Sequence, residues 1–329
     1  MSKKFNVKDK RFPKWDKIEP NFKFVNDLEN IHVELQSAPD LDQILNYSTG
    51  FLLSTWDRTG RHMNSKDNKK ELPEVDREEA IKLLYRAFKG KFLPTFLESI
   101  KFTFLLDGIT MHSVTHLIRS RRFSFAAQCS GDSLLYDQAI TIPDAIIDAG
   151  MEERYKACMT ECMNMYCDLL NTHKVAVQDA RMTLPRTIST FYYASFDMLE
   201  ALKVTKQRID EQVQPKEDNI LWMQIWLELC RKYKFLSTLF DFDIPNDFYV
   251  KESQTNFYSG FFEPNKNNQG KFDFEKGHFL FDCTRDELYG NRTYNILKAK
   301  YVEELKKLQE EAKKEFPFLY TEEYEIEYR

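Results

Sequence analysis

A short run of basic side chains near the middle of the chain has the residue types that bind phosphate. The run comprises two histidines and three arginines: His112, His116, Arg119, Arg121 and Arg122. No aspartate or glutamate lies between Gly108 and Gly131, so the segment supplies no carboxylate of its own to neutralise these cations. A planar guanidinium can form two parallel hydrogen bonds with a phosphate. The segment therefore predicts a site for a phosphate-bearing ligand.

A structural alternative fits the same run of charge. Arginines near a helix end can interact with the helix dipole or pair with acids from elsewhere in the fold. Arg121 favours the ligand, because helical spacing aligns it with the apolar residues Val114, Leu117 and Ile118. An arginine on the buried side of a helix needs a partner, and a cofactor phosphate would supply one.

Two predicted elements position this run. Ile100–Leu106 alternates and is rich in aromatic and branched side chains, which indicates a strand that ends at Asp107-Gly108. A helix from Ile109 to about Ser120 follows, with both histidines on a polar face opposite the apolar stripe. The strand and the helix would therefore present the basic side chains at one end of the fold.

Further elements follow downstream. We predict a helix over Met151–Asn171, a short helix through Ala180, a strand over Thr187–Ser195, a helix from Asp197 to about Arg208 and a helix over Asn219–Tyr233. Asp197 and Glu200 have the spacing of a capping box at the start of the fourth of these elements.

The outer parts of the chain have their own patterns. They predict a buried helix over Leu41–Trp56, an amphipathic helix over Glu78–Lys89, a hairpin within Ser253–Cys283 and a closing helix over Tyr294–Phe316. Pairs such as Glu303 and Lys307 would lie on the outer face of the closing helix, and its inner face would be the apolar stripe Leu297, Tyr301, Leu305, Leu308 and Ala312. Helices and strands interleave without a regular βαβ order, so the expected fold class is α+β.

Composition limits the classes of protein that the chain can be. A net charge of −5 and a pI near 5.8 argue against a nucleic-acid-binding surface. Six irregularly spaced cysteines do not form a disulfide scaffold in a chain of 329 residues, and Cys158, Cys162 and Cys167 fit core packing better than a metal site. No stretch approaches the ~20 apolar residues of a membrane span. We expect a cytoplasmic protein with neither membrane nor metal.

Three ordered sequence blocks resemble the flavin-dependent thymidylate synthases. That family has a signature of arginine, histidine and arginine, then seven residues and a serine, and here Arg119-Ser120-Arg121 is followed after seven residues by Cys129-Ser130-Gly131. Upstream, the stretch 93–104 (LPTFLESIKFTF) is similar to a family segment that ends in a Phe-Thr-Phe strand. Downstream, the stretch 180–185 (ARMTLP) is similar to the family's Ala-Arg-x-x-Leu-Pro. The resemblance extends over roughly Leu41–Cys230.

The resemblance implies a reaction and an assembly. The expected fold is a mixture of helices and antiparallel sheet, in a homotetramer whose active sites form between subunits. The family binds FAD beside dUMP, NADPH reduces the flavin, and methylenetetrahydrofolate supplies the carbon that becomes a methyl group at uracil C5. The corresponding divisions of this chain are an N-terminal extension (1–40), a synthase-like domain (41–252) and a C-terminal extension (253–329).

The resemblance also implies roles for individual residues. The implied flavin contacts are Thr95, Arg119, Ser120, Arg121, Asp197 and Lys203. The implied nucleotide contacts are His116, Arg119, Cys129, Ser130, Gly131, Arg181 and Arg208. Arg208 lies where the family keeps an arginine against the pyrimidine, and it would stabilise negative charge on the ring.

Several positions depart from the family pattern. The signature histidine is Ser120, and Asp197 and Lys203 occupy positions where asparagines that contact FAD are usual. Cys129 aligns with the family serine without a gap, whereas one inserted residue would align Ser130 instead. These departures leave two other functions open: a related enzyme that leaves another C5 substituent, such as hydroxymethyl, or acts on another pyrimidine nucleotide, and a catalytically silent relative that acts in binding or assembly.

Overall fold

A computed structural model gives the structure of the chain. It describes residues 17–47, 77–88, 94–120, 122–128, 133–209, 215–242, 272–273, 278–279 and 292–320. None of the helices in these ranges is long and apolar enough to cross a bilayer.

The main sheet has four antiparallel strands in the order β2-β3-β6-β4. Its strands are β2 (His32–Ser37), β3 (Lys101–Thr110), β4 (Ser124–Ala127) and β6 (Ser189–Asp197). A parallel pair, β1 (Phe24–Asn26) and β5 (Ile140–Ile142), adjoins it through an isolated bridge between Ile140 and Ile188, the residue before β6. The predicted N-terminal extension therefore contributes an edge strand of the main sheet, because β2 pairs with β3.

Strand β3 continues through the point where the sequence predicts its end. Gly108 adopts a φ of +73°, and the register with β6 shifts between Leu106 and Ile109. A bulge therefore carries the strand past Asp107-Gly108 to Thr110, and the prediction that the strand ends at Asp107-Gly108 is wrong. The carbonyl of Asn30 would lie only 1.9 Å from a Cβ at position 108, so this bulge requires glycine.

Nine described helices surround the sheets. They are α1 (residues 41–47), α2 (Arg77–Phe88), α3 (Met111–Leu117), α4 (Asp144–Asp148), α5 (Glu152–Asn171), α6 (Val177–Ala180), α7 (Met198–Arg208), α8 (Lys216–Lys232) and α9 (Arg292–Glu315). Short 3-10 helices cover Pro94–Ser99, Arg181–Thr183, Lys234–Thr238 and Pro317–Leu319. This mixture of helices and antiparallel sheet confirms the predicted α+β class.

The hydrophobic core lies between one face of the main sheet and helix α8. Phe196 of β6 stacks on Phe104 at 5.2 Å and on Phe123 at 4.4 Å between ring centroids. Trp222 of α8 closes the stack 5.9 Å from Phe196. The other face of β6 leaves Phe191 and Tyr193 about 40% exposed (39% and 41%). Near these two residues, the described chain therefore covers only one face of the sheet.

Helix α9 packs against α8, as its apolar stripe predicts. Tyr301, Leu305, Leu308 and Ala312 are buried, and Lys307 pairs with Glu303 on the outer face. The described part of the predicted hairpin is one antiparallel pair, β7 (Phe272–Asp273) with β8 (His278–Phe279). The C-terminal region thus adds a helix to the core as well as a strand pair.

Helix α5 corrects the prediction for its cysteines. Its buried stripe consists of Met163, Tyr166, Cys167 and Leu170, in the C-terminal half of the helix. Cys158 is exposed and Cys162 is half-buried, because the first half of α5 packs less closely. Only the third of these cysteines is therefore a core residue.

Candidate functional site

The carboxylate of Asp218, in the first turn of α8, connects two of the predicted site residues. Its Oδ2 accepts a hydrogen bond from Nη1 of Arg208 at 3.1 Å and lies 2.9 Å from Nδ1 of His116. Since an ionised carboxylate only accepts, this contact assigns the proton to Nδ1 of the imidazole. The other oxygen, Oδ1, accepts from the hydroxyl of Ser113 at 3.1 Å. The Asp218 side chain is only 3% exposed.

Arg208 is held at the end of α7 by two neighbouring elements. Besides Asp218, its Nη2 donates to the carbonyl of His116 at 3.4 Å. Its own carbonyl accepts from the side-chain amide of Asn219 at 2.6 Å. The Arg208 side chain is 16% exposed, so its charge is largely removed from water. Charge interactions are stronger in such an environment, so the orientation of the guanidinium determines which groups it stabilises. The structure therefore brings Arg208 and His116 together, as one site requires.

A second acid supports the start of helix α3. Glu217, next to Asp218, accepts from the amide of Thr110 at 2.7 Å and from its hydroxyl at 2.7 Å. Thr110 is also the N-cap of α3, since its hydroxyl accepts from the amide of Ser113 at 3.2 Å. Burial raises the pKa of the Glu217 carboxyl, while its bonds to Thr110 oppose that rise. The two acids of α8 thus fix the helix that carries both histidines.

His112 lies one helical turn before His116, and the two rings contact edge to face. Their centroids are 5.1 Å apart. Burial lowers the pKa of His112, and the charges of His116 and Arg186 lower it further. The backbone amide of His112 donates to the carbonyl of Arg186 at 3.1 Å. The site therefore contains a second imidazole, beside an arginine for which the sequence predicted no role.

The arginines at the end of α3 separate into different environments. Helix α3 ends at Leu117, earlier than the predicted Ser120, and Ile118 is 55% exposed although the sequence placed it on the apolar stripe. Arg119 is exposed just after this end. Arg122 pairs with Glu98 at 2.9 Å and with Asp197 at 3.2 Å. Arg122 therefore pairs with acids from elsewhere in the fold, as the structural alternative predicts.

Three of the predicted flavin contacts, Thr95, Asp197 and Lys203, lie before the start of β3, at the end of β6 and in the helix that follows β6. Thr95 is exposed in the 3-10 helix that contains Glu98, and Lys203 is exposed on α7. Asp197 caps α7 by accepting from the amide of Glu200 at 2.9 Å, which agrees with the predicted capping box. Its other oxygen accepts from Lys101 at 3.3 Å. The buried carboxylate of Asp197 is thus engaged within the chain, and its contact with a flavin remains a prediction.

The remaining predicted site residues lie in separate turns or outside the described residues. Arg181 is exposed in its 3-10 turn, where Nε donates to the carbonyl of Gln178 at 3.2 Å. Ser120 is half-buried in the turn after α3, and its carbonyl accepts from the amide of Phe123 at 3.2 Å. Arg121, Cys129, Ser130 and Gly131 lie outside the described residues.

Exposed donors in the described ranges suit the anionic part of FAD. Arg119 and Lys203 carry positive charge, and Thr95 has a hydroxyl that can donate a hydrogen bond to a pyrophosphate. Among the described residues, no group of three His, Cys, Asp or Glu side chains is arranged to hold a metal ion.

Asp218, Glu217 and Arg186 are site residues that the sequence analysis missed. A Glu-Asp pair in a helix's first turn usually indicates interaction with the helix dipole at a solvated end. The available signal was the apolar run that begins at Ile220, which implies that this end of α8 is buried. Buried acids need donors, and the acid-free basic segment around His116 was the natural source.

Comparisons with known proteins place this site in a family context. The family model described as thymidylate synthase complementing protein matches residues 47–232, which is more than half of the chain. No curated protein sequence matches the chain significantly.

Two solved structures are similar to the chain at low sequence identity. A UMP/dUMP methylase, PolB from Streptomyces cacaoi bound with 5-Br dUMP, has 15% identity and a TM-score of 0.51, over 64% of this chain and 93% of that one. Thymidylate Synthase X (ThyX) from Helicobacter pylori with FAD and dUMP has 15% identity and a TM-score of 0.45, over 63% of this chain and 96% of that one. On the strength of the family model, the chain belongs to the thymidylate synthase complementing proteins, the flavin-dependent thymidylate synthase family.

Proposed function

We propose that this protein is a flavin-dependent enzyme that transfers a one-carbon unit from methylenetetrahydrofolate to C5 of dUMP, giving dTMP with NADPH as reductant. The observation that carries this proposal is the fixed guanidinium of Arg208, which Asp218 holds beside His116 at 16% side-chain exposure. Arg208 has the sequence position at which the family keeps its pyrimidine-binding arginine. Family membership supports the same reaction class.

The chemistry explains why such an arginine is needed. Uracil C5 becomes nucleophilic only when negative charge on N3 and the carbonyl oxygens is stabilised. A guanidinium that is already oriented in a partly desolvated site can do this without reorganisation. Arg208 would therefore bind the pyrimidine edge and stabilise the charge that develops there. His116 lies against the same carboxylate and would line the nucleotide site.

Other residues of the chain would bind phosphates and exclude water. Arg181, with Cys129, Ser130 and Gly131, would contact the nucleotide. The flavin would be held by Thr95, Arg119, Ser120, Arg121, Asp197 and Lys203. When bound, FAD would supply the hydride that completes the methyl group, after reduction by NADPH.

We further propose a homotetramer with its sites between subunits. The exposed rings of Phe191 and Tyr193 on the open sheet face support this assembly, because a second protomer would cover them. The exposed positions of Arg119 and Lys203 support it too, since a partner would close the site around the flavin.

Ser120 favours a second candidate function within the same class. It occupies the position of the signature histidine, so contacts to the flavin or the nucleotide differ from those of the family. A related enzyme that leaves a hydroxymethyl group, or one that acts on another pyrimidine nucleotide such as UMP, would follow from this change. The nature of the product distinguishes these candidates.

The test uses the purified full-length protein. We expect a flavin absorbance spectrum that changes on titration with dUMP, and a nucleotide product with the mass of dTMP after incubation with methylenetetrahydrofolate and NADPH. A hydroxymethyl product, or turnover of UMP in preference to dUMP, would select the second candidate. A folded protein that binds no FAD at micromolar concentrations would contradict both and support a silent relative with a binding or assembly role.

A further inference from the structure

We propose that Asp218 is a positioning residue, which acts on the uracil nucleotide only through the direction that it gives to Arg208 and His116. The proposal rests on the proposed function, because it assigns Arg208 to the pyrimidine. Asp218 itself would not contact the nucleotide, since its side chain is only 3% exposed and three donors of the chain surround it.

The geometry of the carboxylate makes it suited to this task. Its three donors come from two different elements, Ser113 and His116 from α3 and Arg208 from the end of α7, while Asp218 belongs to α8. One short side chain therefore fixes two longer ones that belong to the nucleotide site. A flexible arginine stem loses conformational entropy when it binds a ligand, so an arginine that is already held binds more tightly.

Glu217, next to Asp218, provides a second link between α8 and α3. The neighbouring carboxylate is bonded to Thr110 at the N-terminus of α3, at 2.7 Å through each oxygen. Helices α3 and α8 are thus connected at two adjacent positions. This double connection fixes α3 against α8 and so keeps His116 beside Asp218.

A buried carboxylate in another place provides a matched control. Asp144 lies in the first turn of α4, is 8% exposed, and also accepts three hydrogen bonds, from the side-chain amide of Asn26 and from the amide and hydroxyl of Thr293. Neither of these partners belongs to the proposed site. Asp218→Asn and Asp144→Asn therefore remove similar charges from similar burial, but only the first loosens Arg208.

The experiment is a double-mutant cycle on dUMP binding. Dissociation constants for dUMP would be measured by calorimetry on the FAD-loaded protein for the wild type, Asp218→Asn, Arg208→Ala and the double variant, with thermal unfolding to check the fold. We expect Asp218→Asn to weaken dUMP binding roughly 10- to 100-fold, as the loss of a residue that orients a metal ligand does at metal sites, and Asp144→Asn to change it less than twofold. In the Arg208→Ala background, Asp218→Asn should cause a much smaller loss, because only the part of its effect that acts through His116 is left.

The outcomes separate this proposal from the proposed function. If the wild type binds no dUMP, the proposed function fails and the role of Asp218 fails with it. If the wild type binds dUMP but Asp218→Asn loses no more than Asp144→Asn, or loses as much with Arg208 absent, only the positioning role is overturned. Should Asp218→Asn not fold, Ser113→Ala removes only the hydroxyl on Oδ1; we expect dUMP binding to weaken at least threefold, and unchanged binding would overturn the proposal.

Discussion

Asp144 holds Thr293 through two hydrogen bonds, one from the backbone amide at 3.0 Å and one from the hydroxyl at 3.1 Å. Thr293 lies in the first turn of α9, so an acid from α4, far away in the chain, caps the helix near the C-terminus. Asn26 donates to the same carboxylate at 2.6 Å and completes the junction. The outer parts of the chain are thereby attached to its central domain.

Replacing Thr293 should weaken this junction. Thr293→Val keeps the backbone bond to Asp144 and removes the hydroxyl bond, so we expect a loss of about 1 kcal/mol in the free energy of unfolding. Asn295→Ala, at an exposed position of the same helix, should stay within about 0.5 kcal/mol of wild type. Urea unfolding measures both, and equal losses would contradict the capping role of Asp144.

Two glycines with positive φ should respond differently to alanine. At Gly108 a Cβ would lie 1.9 Å from the carbonyl oxygen of Asn30, whereas at Gly150 nothing lies within 4 Å. Both substitutions carry the cost of a left-handed backbone, about 1 kcal/mol. Gly108→Ala adds a backbone clash, so we expect it to lose more than about 2 kcal/mol of stability. Thermal unfolding of the pair tests this, and similar melting temperatures would contradict the bulge geometry.

Asp27 should make stability fall as the pH rises. Burial raises the pKa of its carboxyl to about 8, and the charges of Glu217 and Asp144 contribute to the rise. In the unfolded chain this carboxyl loses its proton near its usual value of 3.8, so between about pH 4 and pH 8 the folded state binds the extra proton. The Asp27 contribution to stability is therefore present below that range and is lost as the pH rises through it.

A comparison of variants isolates this effect. Asp27→Asn cannot titrate, so its stability relative to wild type should increase from pH 5 to pH 8, by at most about 1.4 kcal/mol per pH unit. Asp148→Asn, at an exposed position of α4, should show no such trend. Unfolding in urea at a series of pH values gives the answer, and parallel curves for wild type and Asp27→Asn would disprove the burial effect.

Arg119 and Arg122 should have separable functions despite their proximity in the sequence. Arg122→Ala removes the pairs with Glu98 and Asp197, so we expect a lower melting temperature with FAD affinity changed less than about threefold. Arg119→Ala should leave the melting temperature of the flavin-free protein unchanged and weaken FAD binding roughly 10-fold. Flavin fluorescence titration combined with calorimetry distinguishes them, and a reversed pattern would show that Arg122 is the ligand contact.

The elements of this fold follow largely from local sequence patterns. The stripe from Tyr301 to Ala312 predicted the inner face of α9, and Asp197 with Glu200 predicted the start of α7. The family resemblance extended over the region that the family model matches, residues 47–232. Periodicity and capping act over a few residues, so one segment contains all the information that such predictions need.

The site depends on contacts that no local pattern contains. Thr110 and Glu217 are 107 residues apart, and Asp218 is 102 residues from His116. The bulge at Gly108 depends on the carbonyl of Asn30, and β2 joins the main sheet from a segment that resembled an extension. In the folded chain α3 ends at Leu117, whereas the apolar stripe in the sequence continues to Ile118, which is exposed.

The most direct test of the central claim is release of tritium from [5-³H]dUMP. Both a methyl and a hydroxymethyl product require that the hydrogen at C5 be lost, so the assay tests C5 chemistry before the product is known. We predict that the FAD-loaded protein, supplied with NADPH, releases tritium to water only when methylenetetrahydrofolate is also present, and that Arg208→Ala reduces the rate at least 100-fold. If a preparation that binds both FAD and dUMP releases no tritium, the protein is not a C5-modifying enzyme.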